Sequence, residues 1–177
     1  MRSDSLVRQR QATLARRYRE HPEDAMVAKR ARTVPQARPD PLHATVTVDG
    51  PYPTALWQLG LDDKVGGDSD LPNPAEMLLA ALAGCQESTL RMAAENLGIE
   101  IVALEVVAHG QVDARGCLDL DDTVKVGFDT IEIDVHLEVA EHTDPRRLQQ
   151  LHTLAEGLCV TADTLRSGVP ITTSFTT

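Results

Sequence analysis

A chain of 177 residues with 42 % hydrophobic side chains is long enough to bury a core as one domain, or as one domain with an arm. It has no run of 18 apolar residues to span a membrane and no apolar block in "MRSDSLVRQRQATLARRYREHPED" to act as a signal peptide, so a cytoplasmic location without a membrane partner is expected. The net charge of −10 is uneven: residues 1–38 carry ten Lys and Arg against four acids, and the rest of the chain is strongly acidic. An acidic body repels phosphate, which disfavours nucleic acid as a partner and favours an arm that packs on its own protein, across a dimer.

In chain order, residues 1–42 read as a basic extension and linker, and residues 43–177 as the main domain. Residues 5–20 predict a helix with sparse apolar marks at Val7, Leu14 and Tyr18. The proline of "EHPED" stops it, and "TVPQARPDP", with three prolines in nine residues, reads as an extended linker. "HATVTVD" alternates Ala44, Val46 and Val48 with polar neighbours, the period-2 sign of a strand, and "TALWQLG" is expected to pair back on it. The lone Trp57 in that second strand is expected in the core. Gly66 and Gly67 follow in a loop that needs unusual backbone angles; they lack the strand–GxGxxG–helix order of a nucleotide site.

The central helix carries the clearest signals. Asn73 is an N-cap, Pro74 suits the first helical position, Glu76 completes a capping box, and Gly98 ends the helix after Leu97. Its middle, "LLAALAG", is apolar all round, which predicts cover on both sides. Two strands are expected next, in "IEIVALEVVAHGQVDAR" and "TIEIDVHLEVAE". In the latter Ile131, Ile133, Val135, Leu137 and Val139 alternate with polar residues. Asp144 and Pro145 open a second helix, "CVTADTLRSG" a short third one, and "VPITTSFTT" reads as a closing strand. The order of elements makes an α+β fold.

Three cysteines without a CxxC pair exclude a thioredoxin-type motif and a zinc ribbon, and six scattered histidines give no metal-ligand spacing; neither metal nor bound cofactor is expected. Cys117, in the turn "ARGCLDL", needs no role. Cys85, inside the central helix, reads either as a small core residue or as a nucleophile.

The segments "PNPAEMLLAALAGC" and "CVTADTLRSGVPI", with 73 residues between the two cysteines, resemble the OsmC/Ohr family of thiol-dependent peroxidases over about residues 43–177. "LEVVAHGQVDARG" supports the likeness, and "LARRYREHPEDA" resembles the extension of one OsmC-like subgroup. The resemblance implies antiparallel sheets wrapping the long central helices in an intertwined homodimer. It also implies reduction of organic hydroperoxides, and of hydrogen peroxide, by a two-cysteine sulfenic acid/disulfide cycle. Cys85 stands where the family has its peroxidatic cysteine and Cys159 where it has the resolving one. A dithiol, such as a lipoylated protein, would supply electrons.

The family's glutamate after Asn-Pro, which orients an activating arginine, is matched by Ala75; the acid comes one residue later as Glu76. Glu76 is therefore carried both as a catalytic candidate and as a capping residue. The two early strands hold no arginine, leaving Arg38, Arg115 and the arm arginines as sources of positive charge. These departures set a second reading beside the enzyme: a non-catalytic OsmC-like protein that binds a small apolar ligand at the dimer interface.

Overall fold

Helix α1 (Leu6–Glu20) forms over the predicted arginine-rich segment and runs into a 3-10 turn at Pro22–Ala25. A computed structural model describes residues 5–38 and 40–176 of the chain. Arg2 and Asp4 of the basic arm, Pro39 of the linker and Thr177 of the predicted closing strand lie outside these residues. The structure is a mixture of helices and antiparallel sheet, as the order of elements predicts. The chain divides into two compact units, one built from residues up to 13, 81–108 and 133 onward, the other from residues 14–80 and 109–132.

In the second unit, β1 (Ala31–Thr33), β2 (Ala44–Val48) and β3 (Leu56–Leu59) form an antiparallel sheet in that order. Val46 faces Trp57 across the β2–β3 pair. Strand β1 is an element that sequence reading misses. It is three residues long, fully exposed and carries Arg32, the short, charged form that edge strands take to avoid further pairing. Arg30 and Arg32 both pair with Asp49 at the end of the neighbouring strand.

The burial within this sheet departs from expectation. Thr47, on the polar face by alternation, is only 2 % exposed, whereas Trp57 is 37 % exposed. The period-2 pattern separates the two faces correctly but does not say which of them is covered. The loop that follows behaves as its glycines predict, with Gly66 at φ +87 after a 3-10 turn at Asp63–Val65.

Helix α2 (Pro74–Leu97) is the longest element. The Asn73 N–H donates to Glu76 Oε2 at 2.8 Å, and the Glu76 N–H donates to Asn73 Oδ1 at 3.0 Å, the reciprocal pair of a capping box. At the other end Gly98 takes φ +68 and the Ile99 N–H reaches back to the Ala94 carbonyl at 2.9 Å, the long bond of a Schellman stop. Both ends follow the sequence signals. Within this chain Leu78 and Met92 are exposed and nothing lies near Gly84.

Strands β4 (Ile101–Gly110) and β5 (Ile131–Val139) form a two-stranded sheet. Between them α3 (Ala114–Cys117) is a single turn capped by Asp113. Helix α4 (Pro145–Leu158) starts at Asp144, whose side chain accepts the Arg146 N–H. Helix α5 (Val160–Ser167) follows after one residue.

The core lies in the first unit, where Leu90, Ala93 and Ala94 of α2 meet Ile99 and Leu151 and Ala155 of α4. Leu104, Val106, Leu137 and Val139 from the sheet pack against this cluster. The first turns of α1 belong to the same unit, where Asn96 Nδ2 donates to Gln11 Oε1 at 2.6 Å and Gln11 Nε2 donates to Met92 Sδ at 3.5 Å.

One predicted element is absent. Residues 168–176 form no strand, and Ile171 and Phe175 are 88 % and 91 % exposed. A strand exists only when a neighbouring edge takes its hydrogen bonds, and among the described residues no edge in this chain does so for that segment.

Candidate active site

Cys85 and Cys159 come together although 73 residues separate them. Cys85 lies one residue before Gln86 on α2, and the buried Gln86 amide donates to the Ala155 carbonyl of α4 at 3.3 Å. With Leu90 and Ala94 packed on Leu151 and Ala155, this bond fixes the register of α2 along α4. The Cys85 carbonyl is held in turn by the Thr89 hydroxyl at 2.8 Å.

Cys159 is the hinge residue between two helices, at once the C-cap of α4 and the N-cap of α5, with extended backbone at φ −76, ψ 108. It is completely buried, whereas Cys85 is half-buried. Its carbonyl accepts the Asp163 N–H at 2.9 Å, starting α5. Its side chain makes no capping bond, so the first N–H groups of α5 are free to turn elsewhere. Those of Val160 and Thr161 lower the pKa of the Cys85 thiol.

The electrostatics at Cys85 follow from this arrangement. Burial pushes its thiol up, and the neighbouring Thr161 hydroxyl, Thr161 N–H, Cys159 thiol and Val160 N–H outweigh burial to hold it below its ordinary value. Each donor bonds the thiolate better than the neutral thiol, and the N–H groups add the positive end of a helix. Thr161 Oγ1 also lies 3.4 Å from Cys159 Sγ.

The donors named at Cys85 are uncharged, whereas sequence reasoning looks for an arginine. Arg115 is turned to Asp113, at 3.0 Å from Nε to Oδ1, and to Asp121. Arg17 is paired with Asp24 at 2.6 Å. Glu76 has its carboxylate on the Asn73 N–H and is not among the groups bonded to Cys85. Cys117 is exposed and donates to the Ala114 carbonyl. Thr161 is the residue that sequence reading misses, though a signal was available: a hydroxyl two residues after the second cysteine, in the first turn of a helix.

A buried thiol against a half-buried one, with a local field favouring the thiolate, is a pair suited to oxidation and disulfide formation. The OsmC-like protein family profile matches residues 66–174, more than half of the chain and a span that contains both cysteines. The chain belongs to the OsmC-like protein family.

Solved structures carry the same fold. An OsmC-like protein of unknown function from Vibrio cholerae O1 biovar eltor superposes with a TM-score of 0.62 at 16 % identity, over 78 % of this chain and 94 % of that one. An organic hydroperoxide resistance protein from Elizabethkingia anophelis, with crystallant-derived thiocyanate bound, gives 0.56 at 17 % identity over 81 % and 91 %. An organic hydroperoxide resistance protein OsmC from Legionella pneumophila gives 0.53 at 17 % identity over 80 % and 90 %. At these identities the likeness concerns the fold. No curated protein sequence matches this OsmC-like chain. Among its described residues no helix is long and apolar enough to cross a membrane, and no group of three or more His, Cys, Asp and Glu is placed to hold a metal ion.

Proposed function

We propose that this OsmC-like protein is a two-cysteine peroxidase for organic hydroperoxides. The observation that carries the reading is the placement of Cys159, at the start of α5, beside Cys85, whose thiol is held down by groups of that helix. The Cys85 thiolate attacks the terminal peroxide oxygen, the O–O bond breaks, and the alkoxide leaves as an alcohol after taking a proton; Cys85 becomes a sulfenic acid. The Cys159 sulfur then attacks the Cys85 sulfur, water leaves, and a disulfide remains. A dithiol, for which a lipoylated protein is suited, reduces the disulfide and restores both thiols. A reducing cytoplasm keeps such a pair ready between turnovers.

The burial difference gives each cysteine its part. The half-buried Cys85 is reachable by a peroxide, and the fully buried Cys159 is sheltered from it. In this reading Glu76 serves the helix cap, and the oxidation chemistry rests on the two sulfurs.

The reading includes a homodimer. Helix α2 leaves Leu78, Ala81, Gly84 and Ser88 exposed along one side, a row whose small residues admit a second backbone. The segment carrying Val169, Ile171 and Phe175 is equally uncovered. A second copy is the partner that the family likeness suggests for both. The mass of the protein in solution, from light scattering, tests this: twice 19.3 kDa is expected, and a monomer at all concentrations contradicts it.

The peroxidase reading is tested by mixing the reduced protein with an alkyl hydroperoxide and a dithiol and following dithiol oxidation. Turnover that depends on Cys85 supports it. An inert protein stabilised thermally by a small apolar molecule supports the ligand-binding reading, which the absence of a glutamate at Ala75 favours.

A further inference from the structure

Helix α1 carries a row of arginines that the chain leaves without a partner. Val7, Gln11 and Tyr18 of this helix are half-buried, whereas Arg8, Arg10, Arg16 and Arg19 are exposed. At about 100° per residue, Arg8, Ala12, Arg16 and Arg19 share one arc of about 80°, clear of the half-buried side. Among the described residues Arg17 is the arginine of α1 that forms an ion pair, with Asp24; the side chains of the other four form none. The first turns hold on through the Gln11 amide instead. The charge match between arm and body that the sequence suggests is therefore not made within the chain.

The sheet of β4 and β5 offers the opposite charge. Leu104, Val106, Leu137 and Val139 pack on the core, so by alternation Glu105, Asp134, His136 and Glu138 stand on the other face. All four are exposed, and neither strand contains a lysine or an arginine. Asp134 and Glu138 lie about 13 Å apart along β5, and Arg8 and Arg16 about 12 Å apart along α1. The two rows agree in length and are opposite in sign.

We propose that the arginine row of α1 docks on the acidic outer face of the β4–β5 sheet in a second copy of this chain. A guanidinium meets a carboxylate with two parallel hydrogen bonds, and the small Ala12 between Arg8 and Arg16 lets the helix approach the sheet. A nucleic acid would have to approach a chain of net charge −10, which repels it; a second copy brings the matching acids with it. The inference shares with the proposed dimer only the association of two copies. It uses other surfaces, and the thiol chemistry has no part in it.

The test is a zero-length carbodiimide cross-link in the full-length Arg16→Lys protein, prepared as an equal mixture of isotopically labelled and unlabelled copies. Helix α1 has no lysine of its own, so the introduced amine reports on this helix. The expected product joins position 16 to Glu105, Asp134 or Glu138, in peptide pairs that combine one labelled with one unlabelled chain. Sedimentation gives the affinity. Reversing Arg8, Arg16 and Arg19 to glutamate is expected to weaken association about tenfold at low salt, and adding Glu105→Lys and Glu138→Lys is expected to restore it. Rising salt should weaken the parent in the same direction.

Cross-links confined to single chains, or leading to carboxylates on other elements, overturn the inference. So does an affinity that neither salt nor the reversals move. Retention on heparin that the arginine reversals abolish, with association intact, assigns the row to a polyanion and overturns the contact between copies. A protein that is monomeric at every concentration removes this inference and the dimer together, whereas a dimer indifferent to the reversals removes this inference alone.

Discussion

The thiol of Cys159, the single residue between helices α4 and α5, lies close enough to Cys85 in the middle of α2 to help hold its thiol below the ordinary value. A buried sulfur is set beside a half-buried one, and α2 and α4 pack together through Leu90, Ala94, Leu151 and Ala155. Core packing and reactive chemistry are thus one arrangement here.

The two sulfurs should fail differently. Cys85→Ser is expected to abolish hydroperoxide turnover, because a serine hydroxyl does not form the sulfenic acid. Cys159→Ser is expected to complete a single turnover and then to overoxidise at Cys85, seen as a mass gain of two oxygens on that peptide. Equal activity of both variants and the parent removes the enzyme reading.

Glu76 separates capping from catalysis. Glu76→Gln keeps an acceptor for the Asn73 N–H and should leave turnover unchanged. Asn73→Ala, which removes the acceptor for the Glu76 N–H, should cost about 1 kcal/mol of stability by urea denaturation. A loss of turnover of about a hundredfold or more in Glu76→Gln, the size of an acid–base contribution, would return that carboxylate to the chemistry.

How far sequence reading reached is clear from these elements. Both ends of α2, the start of α4 and the break before α5 were legible because caps and stops are local: Asn73 with Glu76, Gly98, and Asp144 with Pro145 determine their own neighbourhoods. Strand β1 was not legible, since its residues are exposed and charged and only the pairing of Arg32 with Thr47 makes it a strand. The closing strand fails for the same reason: Val169, Ile171 and Phe175 alternate as a strand would, but among the described residues no edge takes the hydrogen bonds of that segment. At the site, the two cysteines were legible from their family pattern. The thiolate donor was not, because a search for a cation passes over a threonine and two backbone amides.

His43 provides a pH test remote from the sulfurs. Its Nδ1 lies 2.8 Å from Asp40 Oδ2 and its Nε2 3.1 Å from Asp70 Oδ1, so only the doubly protonated ring satisfies both carboxylates. The hydrogen bond to Asp40 and then that to Asp70 raise the His43 pKa. A raised folded value means that the contribution to stability is complete below the unfolded value of about 6.5 and disappears as pH rises through the folded one. Melting temperatures at about pH 6 and about pH 8 should differ less in His43→Gln than in the parent. An identical pH dependence in the two proteins would show that the bracket contributes nothing.

Leu151, with no exposed surface, is at the centre of the core cluster. Leu151→Ala should destabilise the protein by about 2–5 kcal/mol, measured by urea denaturation followed by far-UV circular dichroism. Because the same packing sets α2 against α4, the variant should also slow disulfide formation at temperatures where it is still folded.

The most direct measurement is a disulfide map after one equivalent of an alkyl hydroperoxide is added to the fully reduced protein. The account predicts a single Cys85–Cys159 linkage, formed within the monomer chain, with Cys117 still a free thiol. Recovery of Cys85 and Cys159 as unmodified thiols, or a linkage through Cys117 instead, would contradict it.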